Sequence, residues 1–586
     1  MKNVIIRKYL VLFAFLLSIS FFLPAAQYEV RAEENETVSE VDEEPSKYRF
    51  VRESKTIYTG WKSYLSVIDG ISEKAVIIYR SENEEIATVS PEGEIFPVSA
   101  GKTVIYADIT ENEETASCSM EITVKEPYSK ITASTDAMTL ESDFVFRLKR
   151  YGHNLSVSWE LLGENYATIE AVSATDCRIR AVAPGTVKLI AKCGEDSFAF
   201  DIKIYDGKGT LFIIGPDSDP YNGYYKSFGT YNSKTKGYYL LRSYLERLDT
   251  LKGGVLVLKK GTYVITNTLC IPSNTSLILE DGVIIKKSDD TGTASLAATA
   301  SLFHIVSYTN AAKTGVFSGY NGEHDIKILG EGRACIDLGS IPCQGICIAH
   351  SKRLTISGIS FMNMNTYHFI ELDASKDVTI SNNYFYGSIT TSTLKKEAIN
   401  IDSPDKTTHG FNQNWTSFDK TPVSDIYITD NIFYDLESGI GTHKYSDSSP
   451  HKNVNILRNT FINCRTYSIR CMNWETPVIK DNSFILTDVP SSERIVIILN
   501  GCINPLITDN RFENSYTPVS FYHWQNSGYG SEYPPIYNKL DSSYAEALRK
   551  NYLANVKNPY YEYYEVLDDF DEDNLKIYMI DGYTKK

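Results

Sequence analysis

The chain has few clustered positive charges. Its 58 Lys and Arg face 74 Asp and Glu, giving a formal net charge of −16 over 586 residues, and no basic run interrupts that excess. Affinity for nucleic acid comes from clustered Lys and Arg neutralising phosphates, so the balance excludes a nucleic-acid-binding protein. Long hydrophobic runs are also missing. The longest, Leu10 to Leu23, is too short for a comfortable membrane span. Lys2, Arg7 and Lys8 precede it, and Pro24-Ala-Ala26 or Val30-Arg-Ala32 follows, so residues 1–32 read as a secretory signal peptide. No Cys follows the run to carry a lipid anchor, and no hydrophobic tail closes the chain. A secreted or cell-surface protein is the expectation. The ten Cys show no CxxC pair and no regular spacing. They read as small core residues, with Cys177 and Cys193 the pair that could bridge one small domain.

Tyr, by contrast, is abundant, at 41 residues. Its flat body and hydroxyl suit wet surfaces and sugar stacking, although strands recruit it anyway. Residues 33–46 are acidic and poor in apolar side chains, an expected linker. Residues 47–125 carry short alternating runs separated by turns, the pattern of a β-sandwich. A second, weaker copy runs over 126–206, with Val157-Ser-Trp-Glu and Ala181-Val-Ala-Pro-Gly-Thr-Val repeating the order of elements. Trp159 there reads as core.

From Gly207 the texture changes. Tyr238 to Leu251 has helical periodicity, with Leu240, Leu241, Tyr244, Leu245 and Leu248 on one side, and strands of a few residues follow. Asp430-Asn-Ile-Phe433, Arg458-Asn-Thr-Phe461, Asp481-Asn-Ser-Phe484 and Asp509-Asn-Arg-Phe512 then repeat, with Asn383-Tyr-Phe385 as an earlier member. Counted from Phe361, the Phe spacings are 24, 48, 28, 23 and 28 residues, about one solenoid turn each except the 48. In this reading Asn takes left-handed backbone and ladders its amide, while Phe stacks inside the coil. The long step marks about twenty residues, 403–423, inserted after Asp402 as a surface loop on the binding face, bearing Asp405, Lys406, His409, Asn412, Asn414 and Trp415. The solenoid is placed over 207–530, with a Tyr-rich acidic cap over 531–586.

Three segments within the solenoid share one pattern: His368-Phe-Ile-Glu-Leu-Asp373, Glu397-Ala-Ile-Asn-Ile-Asp402 and Ser438-Gly-Ile-Gly-Thr-His443. If Ile370/Leu372, Ile399/Ile401 and Ile440/Thr442 point inward, Asp373, Asp402 and His443 share the outer face, about 4.8 Å apart per rung. Two stacked carboxylates repel, raising the pKa of one, and a protonated and an ionised acid suit glycosidic cleavage. Asp373, Asp402 and His443 are the candidate catalytic residues. Glu371, Glu397, Asn400, Asp405, Lys444, Arg470 and Trp474 are candidates for substrate binding, and Glu397 or Asp405 could also partner the Asp pair. His368 reads as a turn residue, and no metal site is expected because no second His stands beside His443 at ligand spacing.

Resemblances sharpen these expectations. Tyr79-Arg-Ser-Glu-Asn-Glu-Glu-Ile-Ala-Thr-Val-Ser90 and Gly93 to Tyr106 resemble the bacterial Ig-like repeat of surface and secreted proteins, which implies modules that space or attach another domain. The strands after Gly253 resemble the N-terminal cap and first rungs of pectin-lyase-like right-handed parallel β-helices. Glu371-Leu-Asp373, Ile401-Asp402, Gly441-Thr-His443 and Ile469-Arg470-Cys471 resemble the cleft motifs of polygalacturonases, without the Asp-Asp pair, a Gly after His443 or a Lys after Arg470. The segment Glu397 to Asp402 also looks like other bacterial β-helix glycosidases, including the lacto-N-biosidase type. The implied fold is all-β, and the implied function a secreted glycoside hydrolase on a carbohydrate substrate, with no cofactor. A uronate lyase or epimerase, with Ca²⁺ possible, and a non-catalytic glycan-binding adhesin are the alternatives.

Overall fold

The computed structural model describes residues 47–389, 396–488, 493–564 and 575–579. The expected signal peptide and acidic linker lie outside them. The chain divides into two units, Met1–Pro127 and Tyr128–Lys586. In the first, Val76–Ser81, Gly101–Glu111 and Glu114–Lys125 form an antiparallel run, with Ser54–Tyr58 pairing in parallel on Glu114–Lys125. Alternation along Gly101–Glu111 buries Ile105, Ala107 and Ile109 completely, which is why those strands form: every second side chain joins one core with Ile57 and Ile122.

The second unit begins with two four-stranded sheets over residues 128–208. It continues as a right-handed parallel β-helix, the expected all-β solenoid, whose three faces are sheets of eleven, ten and eleven strands among the described residues, the last strand of the third, Leu575–Met579, pairing antiparallel. Helix α1, Lys236–Leu251, buries Tyr238, Tyr239, Leu240, Leu241, Leu245 and Leu248 against the first rungs and covers an end that would otherwise expose apolar rows. Its C-cap, Lys252, is left-handed, and its amide closes on the carbonyls of Leu248 and Asp249.

Two side-chain columns run down the solenoid. Phe361, Phe385, Phe433, Phe461, Phe484 and Phe512 stack with neighbouring centroids 4.6–5.0 Å apart. Phe385 and Phe433 are stacked neighbours at 4.9 Å, so the 48-residue step is one turn with a loop extruded from it. Asn383, Asn431, Asn459, Asn482, Asn510 and Asn551 form a buried ladder, each Nδ2 donating to the next Oδ1 at 2.9–3.1 Å. Before five of the six ladder Asn stands a left-handed residue: Asn382, Asp430, Arg458, Asp481 and Asp509 have φ between 54° and 59°. This corrects the expectation that the laddering Asn itself is left-handed. A buried amide with both ends bonded is better used as a rung connector.

The rungs also run past residue 530, where the sequence reading ended them. Tyr552–Ala554 and Tyr560–Tyr564 pair in parallel onto Arg511–Glu513 and Thr517–Tyr522, and Asn551 caps the ladder. This rung was concealed because Leu553 replaces Phe in its motif. All ten Cys are free, including Cys177 and Cys193.

Candidate functional site

The site lies on the sheet that contains β1 (Gln344–Ile348), β2 (Ile370–Asp373), β3 (Glu397–Asp402), β4 (Ser438–Gly441) and β5 (Tyr467–Met472). Ile346, Ile370, Ile399, Ile440 and Ile469 are successive register partners and fill the interior. That inward column fixes the outward ones. Glu371, Asn400, Gly441 and Arg470 follow one another in one row, and Asp373 stands opposite Asp402 in another.

The three residues predicted to carry chemistry do come together. Asp402 Oδ1 accepts the backbone amides of His443 and Lys444 at 3.2 and 3.4 Å, and Oδ2 lies 3.4 Å from His443 Nε2. Both Asp373 and Asp402 have 0% exposure, while the His443 side chain is 39% exposed. Neither Asp373 oxygen has a hydrogen-bond partner of good geometry among the described residues. Burial, then the charges of Glu371 and Asp402, pushes the Asp373 carboxyl well above the usual range. Burial also raises Asp402, against the pull of His443. On His443 burial acts downward, but Asp402, Glu397 and Glu371 outweigh it and hold the imidazole above its ordinary value.

Around them, Glu371 accepts from Gln344 Nε2 and Asn400 Nδ2, each at 2.9 Å, and Asn400 Oδ1 faces His443 Nδ1 at 2.9 Å. Glu397 is fully buried, with Oε1 accepting the Tyr467 hydroxyl. Burial pushes it up, and the charges of His443 and His368 together with the Tyr467 hydroxyl bring it below the usual range. Arg470 donates through Nε to Asn500 Oδ1 at 3.1 Å and lies over the Trp524 ring, 4.7 Å from its centroid.

Three predicted binding residues have other duties. Trp474 has 0% exposure, belongs to the solenoid core and donates Nε1 to Thr442 Oγ1 at 2.9 Å, so it offers no stacking face. Asp405 is buried and accepts from Ser446 Oγ and Tyr533 OH, anchoring the inserted loop to the residues that follow the last stacked Phe. Lys444 Nζ donates to the carbonyls of Ser527 and Tyr529, each at 3.0 Å, and ties down that segment.

Beside the cluster is a cavity of about 400 Å³. Gln344, Glu371, His368 and His443 form its floor, and His409 to Gln413 of the inserted loop form one wall. His409 stacks on Tyr529 with centroids 4.0 Å apart, while Trp415 of the same loop is buried against Phe317 and Phe411. The loop does stand at the trough, as its position after Asp402 suggested.

The sequence reading missed His368 and Tyr467. His368 is buried, its ring stacked with that of His443 at 5.7 Å, and its Nδ1 donates to the Glu397 carbonyl at 2.7 Å. It is a member of the cluster, not a turn residue. The signal was available: His368, Glu397, Ser438 and Tyr467 each stand two residues before the inward Ile of their strand.

No family model matches the chain. A curated relative, the plasmin and fibronectin-binding protein A of Streptococcus pneumoniae, is 26% identical over 259 residues, 40% of this chain and 35% of that protein. The chain thus spans about a third of the length of the curated relative it matches. Among solved structures, the S. pneumoniae surface protein and adhesin PfbA aligns over 59% of this chain and 89% of its own, at 18% identity and a TM-score of 0.42. A structure described as a putative glycosyl hydrolase from Parabacteroides merdae aligns over 45% and 98%, at 12% identity and a TM-score of 0.26. The expectation of a glycosidase is corrected here: the curated relative is named for binding plasmin and fibronectin, not for a reaction.

Proposed function

We propose that the chain is a cell-surface adhesin: a non-catalytic binding protein whose β-helix presents a polar trough to an extracellular glycoprotein. The observation that carries this reading is the sequence likeness to a protein named for binding plasmin and fibronectin. The burial of the acids supports it. With Asp373 and Asp402 at 0% exposure, a ligand in the trough meets His443, Glu371 and Gln344 together with the loop backbone. These groups form hydrogen bonds, and the exposed Tyr367 ring, also lining the trough, provides a flat apolar face. Such a surface suits a glycan chain of the partner. Among the described residues no helix is long and apolar enough to cross a membrane, and display at the surface belongs to the proposal.

The test is binding of the full chain to immobilised fibronectin and plasmin, each intact and enzymatically deglycosylated. Saturable binding to an intact glycoprotein, weakened by deglycosylation and by His443→Ala, supports the reading. No binding to either protein, or release of new reducing ends from the glycan, overturns it.

A further inference from the structure

We propose that His368, Glu397 and His443 form a binding site for one divalent transition-metal ion of the zinc class. One ligand atom from each lies within 4.8 Å of the other two. The three residues come from successive rungs: His368 precedes β2, Glu397 opens β3, and His443 follows β4. A rigid ladder of main-chain bonds therefore sets their spacing.

The hydrogen-bond inventory of the pocket points to a cation. Glu397 is fully buried, its Oε1 bonded to Tyr467, and its Oε2 has no hydrogen-bond partner. A buried carboxylate oxygen without a donor is costly, and such a position is filled by a proton or a cation. This oxygen lies 3.8 Å from His368 Nδ1 and 3.7 Å from His443 Nδ1. Further acceptors face the two rings: Asn400 Oδ1, Glu371 Oε2 at 3.8 Å from His368 Nε2, and Asp402 Oδ2 at 3.4 Å from His443 Nε2, with Arg470 the cation near His443. Asp402 Oδ2 is a second buried oxygen without a hydrogen-bond partner.

Two imidazoles and one carboxylate make a donor set favoured by zinc and its neighbours in the first transition row. Donors about 2.1 Å from a shared ion at a tetrahedral angle stand about 3.4 Å apart. With His368 Nδ1 committed to the Glu397 carbonyl, Nε2 is its ligating nitrogen, and the donor atoms, within 4.8 Å of one another, draw together by side-chain rotation when the ion binds. Supporting contacts of the kind that orient metal ligands are in place. The Tyr467 hydroxyl holds Glu397, and the Glu397 carbonyl holds the His368 ring. Glu371, fixed by Gln344 and Asn400, stands ready as a further oxygen donor. The site shares His368 and His443 with the trough, and metal binding is read without any partner present.

The test uses the purified full chain, treated with chelator, dialysed and titrated separately with ZnCl₂ and CoCl₂, with circular dichroism to monitor folding. The expected result is one ion per chain, with visible Co²⁺ absorption bands characteristic of nitrogen ligation. His443→Gln and Glu397→Gln should each weaken binding by at least about tenfold, and the surface variant Asp481→Asn should not. Should Glu397→Gln fail to fold, His443→Gln, at a half-exposed position, still decides the matter. Failure of the chelated wild type to bind either ion, or wild-type affinity in His443→Gln, overturns the proposal.

Discussion

His443 stands over Asp402, its Nε2 3.4 Å from Oδ2 and its own backbone amide donating to Oδ1 at 3.2 Å. One residue thus uses main chain and side chain on the same carboxylate, and it is the half-exposed lid of an otherwise buried acid cluster. Because Asp402 and Glu397 hold the imidazole above its ordinary value, the sign of its pH effect is fixed. Its contribution to stability is complete below the unfolded value of about 6.5 and is lost as pH rises through the folded value. Thermal melts across pH 5–9 should therefore show His443→Gln losing most relative to wild type at the acid end, with the difference shrinking as pH rises.

Asp373 behaves oppositely to an ordinary surface acid. Its carboxyl is raised well above the unfolded value of about 3.8, so folding is favoured when it is protonated and penalised as pH climbs toward the folded value. Asp373→Asn keeps the shape, removes the ionisation and adds a donor facing Asp402. Its melting temperature should exceed wild type at pH 7, and the gain should vanish below about pH 3.8. Equal melting temperatures at pH 7 would contradict the burial argument.

The Phe column should be a main element of solenoid stability. Phe385 stacks between Phe361 at 5.0 Å and Phe433 at 4.9 Å with no exposure. Phe385→Ala should lower unfolding free energy by about 3–5 kcal/mol, measured by urea denaturation of the full chain.

Trp474 and His443 separate structure from binding. Trp474→Phe keeps an aromatic ring in the core but loses part of its volume and leaves Thr442 Oγ1 without its indole donor, and should cost about 1–3 kcal/mol of stability while leaving partner affinity unchanged. His443→Ala should weaken partner binding and also lower stability, most at acid pH where its charged ring faces Asp402 and Glu397, and calorimetry beside binding curves reads both.

Much of this arrangement was legible in the sequence. The Asn–Phe motif gave the rungs because both residues recur at one point of every turn, and the alternation in His368–Asp373 and Glu397–Asp402 placed Asp373 beside Asp402 correctly. What alternation cannot show is depth. An outward position reads as accessible, yet Gly410 of the inserted loop packs on Asp402 and Tyr533 bonds Asp405. Trp474 reads as exposed for the same reason: it is buried in the solenoid core, its indole bonded to Thr442, 32 residues away. His368 lies just before its strand begins, where turn chemistry is the simpler reading, and only comparison of offsets across rungs assigns it to the cluster.

The most direct measurement of the central claim sets the full chain, in one preparation, against an intact extracellular glycoprotein such as fibronectin and follows both retention and new reducing ends. Saturable retention that His443→Ala weakens, with no reducing ends formed, is the predicted result. Steady release of reducing ends that Asp402→Asn abolishes would contradict it.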